Sequence, residues 1–176
     1  MSQHPVSFEA YPVDRFIDIV KAWIEHSWPI TAKEARQVYE SLGYSAVPED
    51  PEMLASPFAD GEADSYYVTV KGLVSTVDIA VARPCNAGEE EESSAAITSA
   101  YDAFYQAINS HYKNMISATR SEAGSTEWTF TSDVELDVSV WNRSISTCIH
   151  SPYMTQLRRE EKEMGITSYD DILEDD

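Results

Sequence analysis

Three observations in the chain predict an α+β fold with a mostly antiparallel sheet of about five strands and helices packed on one face. Short runs alternate apolar with polar residues, and other runs place apolar residues three and four apart. In the second half, strand-like runs also follow one another with no helix between them, whereas a parallel doubly wound sheet needs regular alternation of strand and helix. With 176 residues, 43% of them apolar, the chain closes one hydrophobic core more readily than two. We therefore expect a single domain over residues 13–165, preceded by an N-terminal extension (1–12) and followed by an acidic C-terminal tail (166–176).

The elements follow in order. Val13, Phe16, Ile17, Val20, Trp23 and Ile24 recur at helical spacing, predicting an amphipathic helix over 13–27 that Pro29 stops. Thr31-Ala32-Lys33-Glu34 matches a capping box, so a second helix begins there, with Ala35, Val38, Tyr39 and Leu42 inward and Gly43 at its left-handed end. From Ser45 to Ala63 the chain turns to Pro, Glu, Asp and Gly with little periodicity; this predicts a long exposed connection with room for a short edge strand. Tyr66, Val68 and Val70, then Val77, Ile79 and Val81, alternate with polar neighbours and predict two antiparallel strands joined near Gly72, the second closed by Pro84.

Ile97, Tyr101, Phe104, Ile108, His111 or Tyr112, and Met115 predict a long third helix lying across the sheet. Trp128/Phe130, Leu136/Val138/Val140 and Ile145/Thr147/Ile149 predict three more strands, with a hairpin turn at Asn142-Arg143. A charged fourth helix is expected from Pro152 to Gly165.

Charge narrows the function. Twelve Lys and Arg stand against 31 Asp and Glu, a formal net charge of −19, which repels nucleic acid and anionic membranes. No basic leader opens the chain and no stretch approaches the roughly 20 apolar residues of a membrane span. Cys85 and Cys148 stand apart, with no CxxC pair. A cytoplasmic protein that binds neither nucleic acid nor membrane is expected.

The motifs of the common chemistries do not match. G-x-S-x-G, G-x-x-x-x-G-K-[ST] and G-x-G-x-x-G do not occur, and six glycines leave few places for a backbone to approach a phosphate. The four histidines are scattered. Cys148 and His150 share a strand face, without a second pair in sequence to complete a zinc tetrahedron. Asp60, Glu62 and Asp64 sit at positions 1, 3 and 5 of a calcium-type loop, but Ser65 stands where the turn needs glycine and Lys71 where the bidentate glutamate belongs, so a solvated turn is expected. No catalytic residue, cofactor or metal site is assigned. Of the four tryptophans, Trp141 beside the Asn142 turn is the candidate contact residue; the others are expected in the core.

Glu89, Glu90, Glu91 and Glu92 precede the third helix. Carboxylates at a helix start gain about 0.3 to 1 kcal/mol each from its dipole, with Ser93 or Ser94 as the expected N-cap. Four in a row exceed what capping needs. With the acidic stretches at 49–64 and 170–176 the surplus serves either to solubilise the chain or to form a negative surface that attracts a basic partner and speeds its association. Asp60, Glu62, Asp64, Glu89, Glu90, Glu91, Glu92, Trp141 and Asn142 are the candidate partner-binding residues.

The capped helix ending Gly43-Tyr44, the paired strands, the acidic break, the long helix and the run "ISTCIHSPYMTQLRREEKE", with its Ser151-Pro152-Tyr153 to Leu157 step, resemble an uncharacterised actinobacterial family of small acidic proteins. Many of these are paired with secreted toxins as immunity proteins. The resemblance spans residues 13–164 and carries no catalytic motif. It implies a cytoplasmic immunity protein, or antitoxin, that binds the catalytic domain of a cognate toxin, a NAD-hydrolysing enzyme or a nuclease with a basic cleft, and occludes its active site. An acidic secretion chaperone holding an effector segment and an enzyme with an unrecognised carboxylate site are the alternatives.

Overall fold

The computed structural model describes residues 7–165, so the expected acidic tail lies outside the described residues. The elements run β1 (Glu9–Ala10), α1 (Val13–Ile24), α2 (Ala32–Ser41), β2 (Ser45–Val47), β3 (Asp50–Ala55), β4 (Ser65–Val70), β5 (Leu73–Ile79), β6 (Ala82–Arg83), α3 (Glu90–His111), β7 (Ile116–Glu122), β8 (Ser125–Phe130), β9 (Glu135–Val140), β10 (Ile145–His150) and α4 (Pro152–Glu163). Eight strands form one antiparallel sheet in the order β2-β3-β4-β5-β10-β9-β8-β7, and β1 pairs with β6 in a second, two-stranded sheet.

This architecture corrects the expected five-stranded sheet with helices on one face. The added strands are those without an apolar stripe. β2 and β3 lie in the acidic, Pro-containing stretch expected as a connection. β7 reads Ile-Ser-Ala-Thr-Arg-Ser-Glu, and six of its seven residues are exposed, as befits an outermost strand that buries neither face. Helices α1 to α3 pack on one face. Helix α4 leaves the end of β10 and lays Arg158 against Glu135 and His150, on the opposite face.

Local chemistry fixes the ends of these elements. Thr31 Oγ1 accepts from Glu34 N at 3.2 Å and caps α2, and Gly43 leaves that helix at φ 92°. Lys71 and Gly72, the two residues linking β4 to β5, both have positive φ (53° and 79°), the signature of a type I′ hairpin whose twist matches its strands. Ser151 Oγ accepts from Met154 N at 3.1 Å, so Ser151 caps α4 with Pro152 in the first turn.

The core lies between the sheet and α1 to α3. Phe16 of α1 stacks on Phe104 of α3 with centroids 3.9 Å apart, and Trp23 meets Tyr39 of α2 edge-on at 5.0 Å. Trp23 and Trp128 are both fully buried, each removing on the order of 5 kcal/mol worth of apolar surface from water as an upper figure. Trp128 Nε1 still finds an acceptor, Asn109 Oδ1, at 2.9 Å. Residues 7–12 are bound into this body: Phe8 is buried and β1 pairs with β6 through Glu9 with Arg83 and Ala10 with Ala82. Among the described residues no helix is long and apolar enough to cross a membrane.

Candidate partner-binding surface

Antiparallel pairing decides which loops meet. β4 starts at Ser65 where β3 and β5 end, β10 starts at Ile145 where β9 ends, and β8 starts at Ser125 opposite Ser139. The 56–64 loop, the 80–89 segment leading into α3, and the 141–144 hairpin therefore emerge at one end of the sheet. That end carries all nine candidate residues. Arg143 stitches two of these segments together: Cys85 N donates to Arg143 O at 2.9 Å, and Arg143 Nε donates to Cys85 O at 2.8 Å.

The hairpin and the first turn of α3 thereby enclose a concavity of about 380 Å³, lined by Glu90, Glu91, Ser94, Val140, Trp141 and Asn142. Trp141 is 63% exposed, and its Nε1 donates to Ser146 Oγ at 2.7 Å. The indole is thus held in place with most of its surface in solvent. Glu91 and Glu92 are exposed in the first turn of α3.

Other members of the acidic set serve the fold. Glu89 accepts from Ser7 N at 3.2 Å and Ser7 Oγ at 3.0 Å, bonds that lower its pKa and tether the N-terminal segment. Glu90 accepts from Gly88 N at 2.9 Å; backbone amides lower its pKa too. Helix α3 begins at Glu90 with Glu89 in the N-cap position and no side-chain cap. This corrects the expected cap at Ser93 or Ser94: Ser93 lies inside the helix, buried, with its Oγ unpartnered. Asp64 accepts from Ser56 N at 2.8 Å and from Ser56 Oγ, closing the 56–64 loop. Asp60 and Glu62 remain exposed near its tip, where Asp60 (φ 46°) and Gly61 (φ 90°) turn the chain. They share the end of the sheet with Trp141 but lie outside its concavity.

The open face of the sheet carries a second set of groups. Tyr66, Asp78, Cys148, Asp137, Glu127 and Arg120 occupy one continuous cross-strand row over six strands. Cys148 Sγ donates to Asp78 Oδ2 at 3.2 Å. Burial, with the Asp78 charge beside it, pushes the thiol pKa far up, which makes Cys148 a hydrogen-bond donor and a poor nucleophile. Burial also raises the Asp78 carboxyl, against the hydrogen bonds of Cys148 and Tyr66. In the adjoining row His150 lies opposite Glu135, and Arg158 Nη1 donates to Glu135 Oε2 at 2.6 Å. Burial and then the Asp137 charge raise the Glu135 pKa. Glu135 and Asp137 were not singled out in the sequence, where His150 was weighed only together with Cys148. The signal was Glu-x-Asp on one strand and Cys-x-His on another, and only the β9–β10 register turns those alternations into one cluster.

An apolar recess of about 420 Å³ opens at the far end of the sheet, between Trp28, Leu73, Pro152 and Tyr153. It holds none of the nine candidate residues.

Fold and surface define the class as an acidic α+β protein built on one large antiparallel sheet, with charged loops gathered at one end of it. The chain belongs to DUF6301, a family of unknown function whose model matches residues 14–151, from the first turn of α1 to the end of β10. No curated protein and no solved structure matches it.

Proposed function

We propose that this protein is a cytoplasmic immunity protein that binds the catalytic domain of a cognate secreted toxin and occludes its active site. The observation that carries this reading is the delivery, by strand register, of Glu91, Glu92, Asp60, Glu62 and the exposed Trp141 to one end of a single rigid sheet. Exposed carboxylates on a chain of net charge −19 accelerate encounter with a basic cleft, such as one that holds a nucleic acid or a phosphorylated cofactor. An immobilised aromatic beside them supplies the short-range anchor that charge alone does not. An interface burying about 1,600 Å² in total suffices for tight binding under those conditions.

The test is co-expression with the toxin encoded beside this gene. Growth should be rescued, and the purified pair should co-elute on gel filtration with the toxin's catalytic domain folded. Absence of both rescue and complex removes the proposal. Capture of an extended, unfolded segment in place of a folded domain assigns the protein to the secretion chaperones.

A further inference from the structure

The Glu135, Asp137 and His150 cluster lies on the open face, away from the partner-binding end. Glu135 and Asp137 are two residues apart on β9, and His150 projects from β10 opposite Glu135. His150 Nε2 is 3.0 Å from Asp137 Oδ2 and 3.9 Å from Glu135 Oε2, and one donor atom of each residue lies within 4.8 Å of the others. The other ring nitrogen, Nδ1, is 3.2 Å from Thr76 Oγ1.

That last contact makes the cluster more than a group of acids. In the tautomer whose Nδ1–H is donated to the Thr76 hydroxyl, Nε2 turns a lone pair toward two carboxylate oxygens, an arrangement that a bound cation stabilises; in the other tautomer Nε2–H donates to Asp137 Oδ2. The former is how a ligating histidine is held, its distal nitrogen oriented by a partner outside the site. A further oxygen, Asp137 Oδ1, is buried with no hydrogen-bond partner. The cationic side chain that reaches the cluster is Arg158, bonded to Glu135 and with Nη2 3.5 Å from His150 Nε2. Arg158 is the most exposed of the four, its side chain 43% accessible against 9% for Glu135, 12% for His150 and 20% for Asp137. Swinging it out toward solvent breaks its bond to Glu135 and leaves that buried carboxylate free to take another cation.

We propose that Glu135, Asp137 and His150 form a binding site for a divalent first-row transition-metal ion of the zinc type, and that Arg158 is the internal cation this ion displaces. Imidazole nitrogen and carboxylate oxygen bind zinc at about 2.0 to 2.2 Å, so two ligands of a tetrahedral ion stand roughly 3.4 Å apart. The 3.0 and 3.9 Å separations bracket that spacing. Calcium and magnesium prefer oxygen-only ligand sets and fit an imidazole poorly. Because a ligand must give up its proton, the site competes with acid as well as with Arg158.

The test is titration of the chelator-treated full chain with zinc by calorimetry and with cobalt by visible absorption. One equivalent of metal should bind, with a cobalt d–d band, and His150→Ala and Glu135→Gln should each weaken binding by about tenfold or more. Arg158→Ala should tighten it, since the competing cation is gone. Asp133→Asn, a change to the carboxylate that pairs with Arg159 of α4, should leave affinity unchanged. Zinc-induced shifts of the His150 ring nitrogens in nitrogen NMR read the same site in the unmodified chain, should a variant fail to fold. Affinity unaffected by His150→Ala, unmoved His150 nitrogens, or an Arg158→Ala chain that binds no zinc at about 100 μM would overturn the proposal.

Discussion

Trp141 donates its indole N–H to Ser146 Oγ at 2.7 Å while 63% of the residue stays exposed. An indole fixed in this way loses little further freedom when a partner covers it, which favours its use as an anchor. Trp141→Ala should weaken the complex with the toxin domain by about 2 kcal/mol or more, while moving the stability of the free protein by only about 0.5 kcal/mol. Calorimetric affinity alongside a thermal melt separates the two effects, and a full-strength complex would remove Trp141 from the interface.

The acidic run should divide in the same way. Glu91→Gln with Glu92→Gln is expected to slow association and flatten its salt dependence, with dissociation nearly unchanged, because exposed charge acts on encounter more than on the bound state. Glu89→Gln should behave differently, loosening residues 7–10 through the Ser7 bonds. Stopped-flow kinetics at two salt concentrations reads the first effect, and amide exchange in the N-terminal segment reads the second.

Tyr39 tests the core. Its hydroxyl lies 3.0 Å from Tyr66 O and 2.8 Å from Asp78 O, beneath the β4–β5 pair. Tyr39→Phe removes the one O–H that these two part-buried carbonyls share and should cost about 1 kcal/mol, seen as a melting temperature lower by several degrees.

Stability should rise on mild acidification. Asp78 and Glu135 both have raised pKa values, chiefly from burial, so the native state holds their protons more tightly than the unfolded chain does. Their contribution therefore falls as pH rises through the raised values and is fully restored below the usual carboxylate range. Asp133 and Glu89 have lowered values, from the Arg159 and Ser7 hydrogen bonds; what they contribute is lost only at still lower pH. Melting temperature should climb as pH falls from neutrality toward the usual carboxylate range and drop below that range. Asp78→Asn should shallow the climb, and an unaltered slope would mean that Asp78 titrates alike in both states.

Local chemistry carried much of the fold. The Thr31 cap, the turn beyond Gly43, the hairpins at Gly72 and Asn142 and the Ser151-Pro152 start of α4 are each set by residues within a few positions of one another, so the sequence displays them. β2, β3 and β7 have no such display, because an outer strand is held by backbone pairing and by which neighbour reaches it, and Pro51 and the polar run of β7 carry neither signal. For the surface, Trp141 and the glutamate run could be named from type and spacing alone. That Glu90 and Trp141 share one concavity, that Glu89 and Asp64 are committed to Ser7 and Ser56, and that Glu135 meets His150 all depend on register between distant strands.

The strand order also governs how the chain reaches its shape. β2 to β5 and β7 to β10 are two four-stranded meanders, each assembled from neighbours in sequence, and the only ladder joining them is β5 with β10, where Asp78 meets Cys148 from 70 positions away. Each half can zip early from its own hairpins, whereas the seam must close a long loop before it gains anything in return. Closing it is therefore expected to be the slowest of these pairing steps, and a probe placed across Asp78 and Cys148 should report after the hairpins of either half.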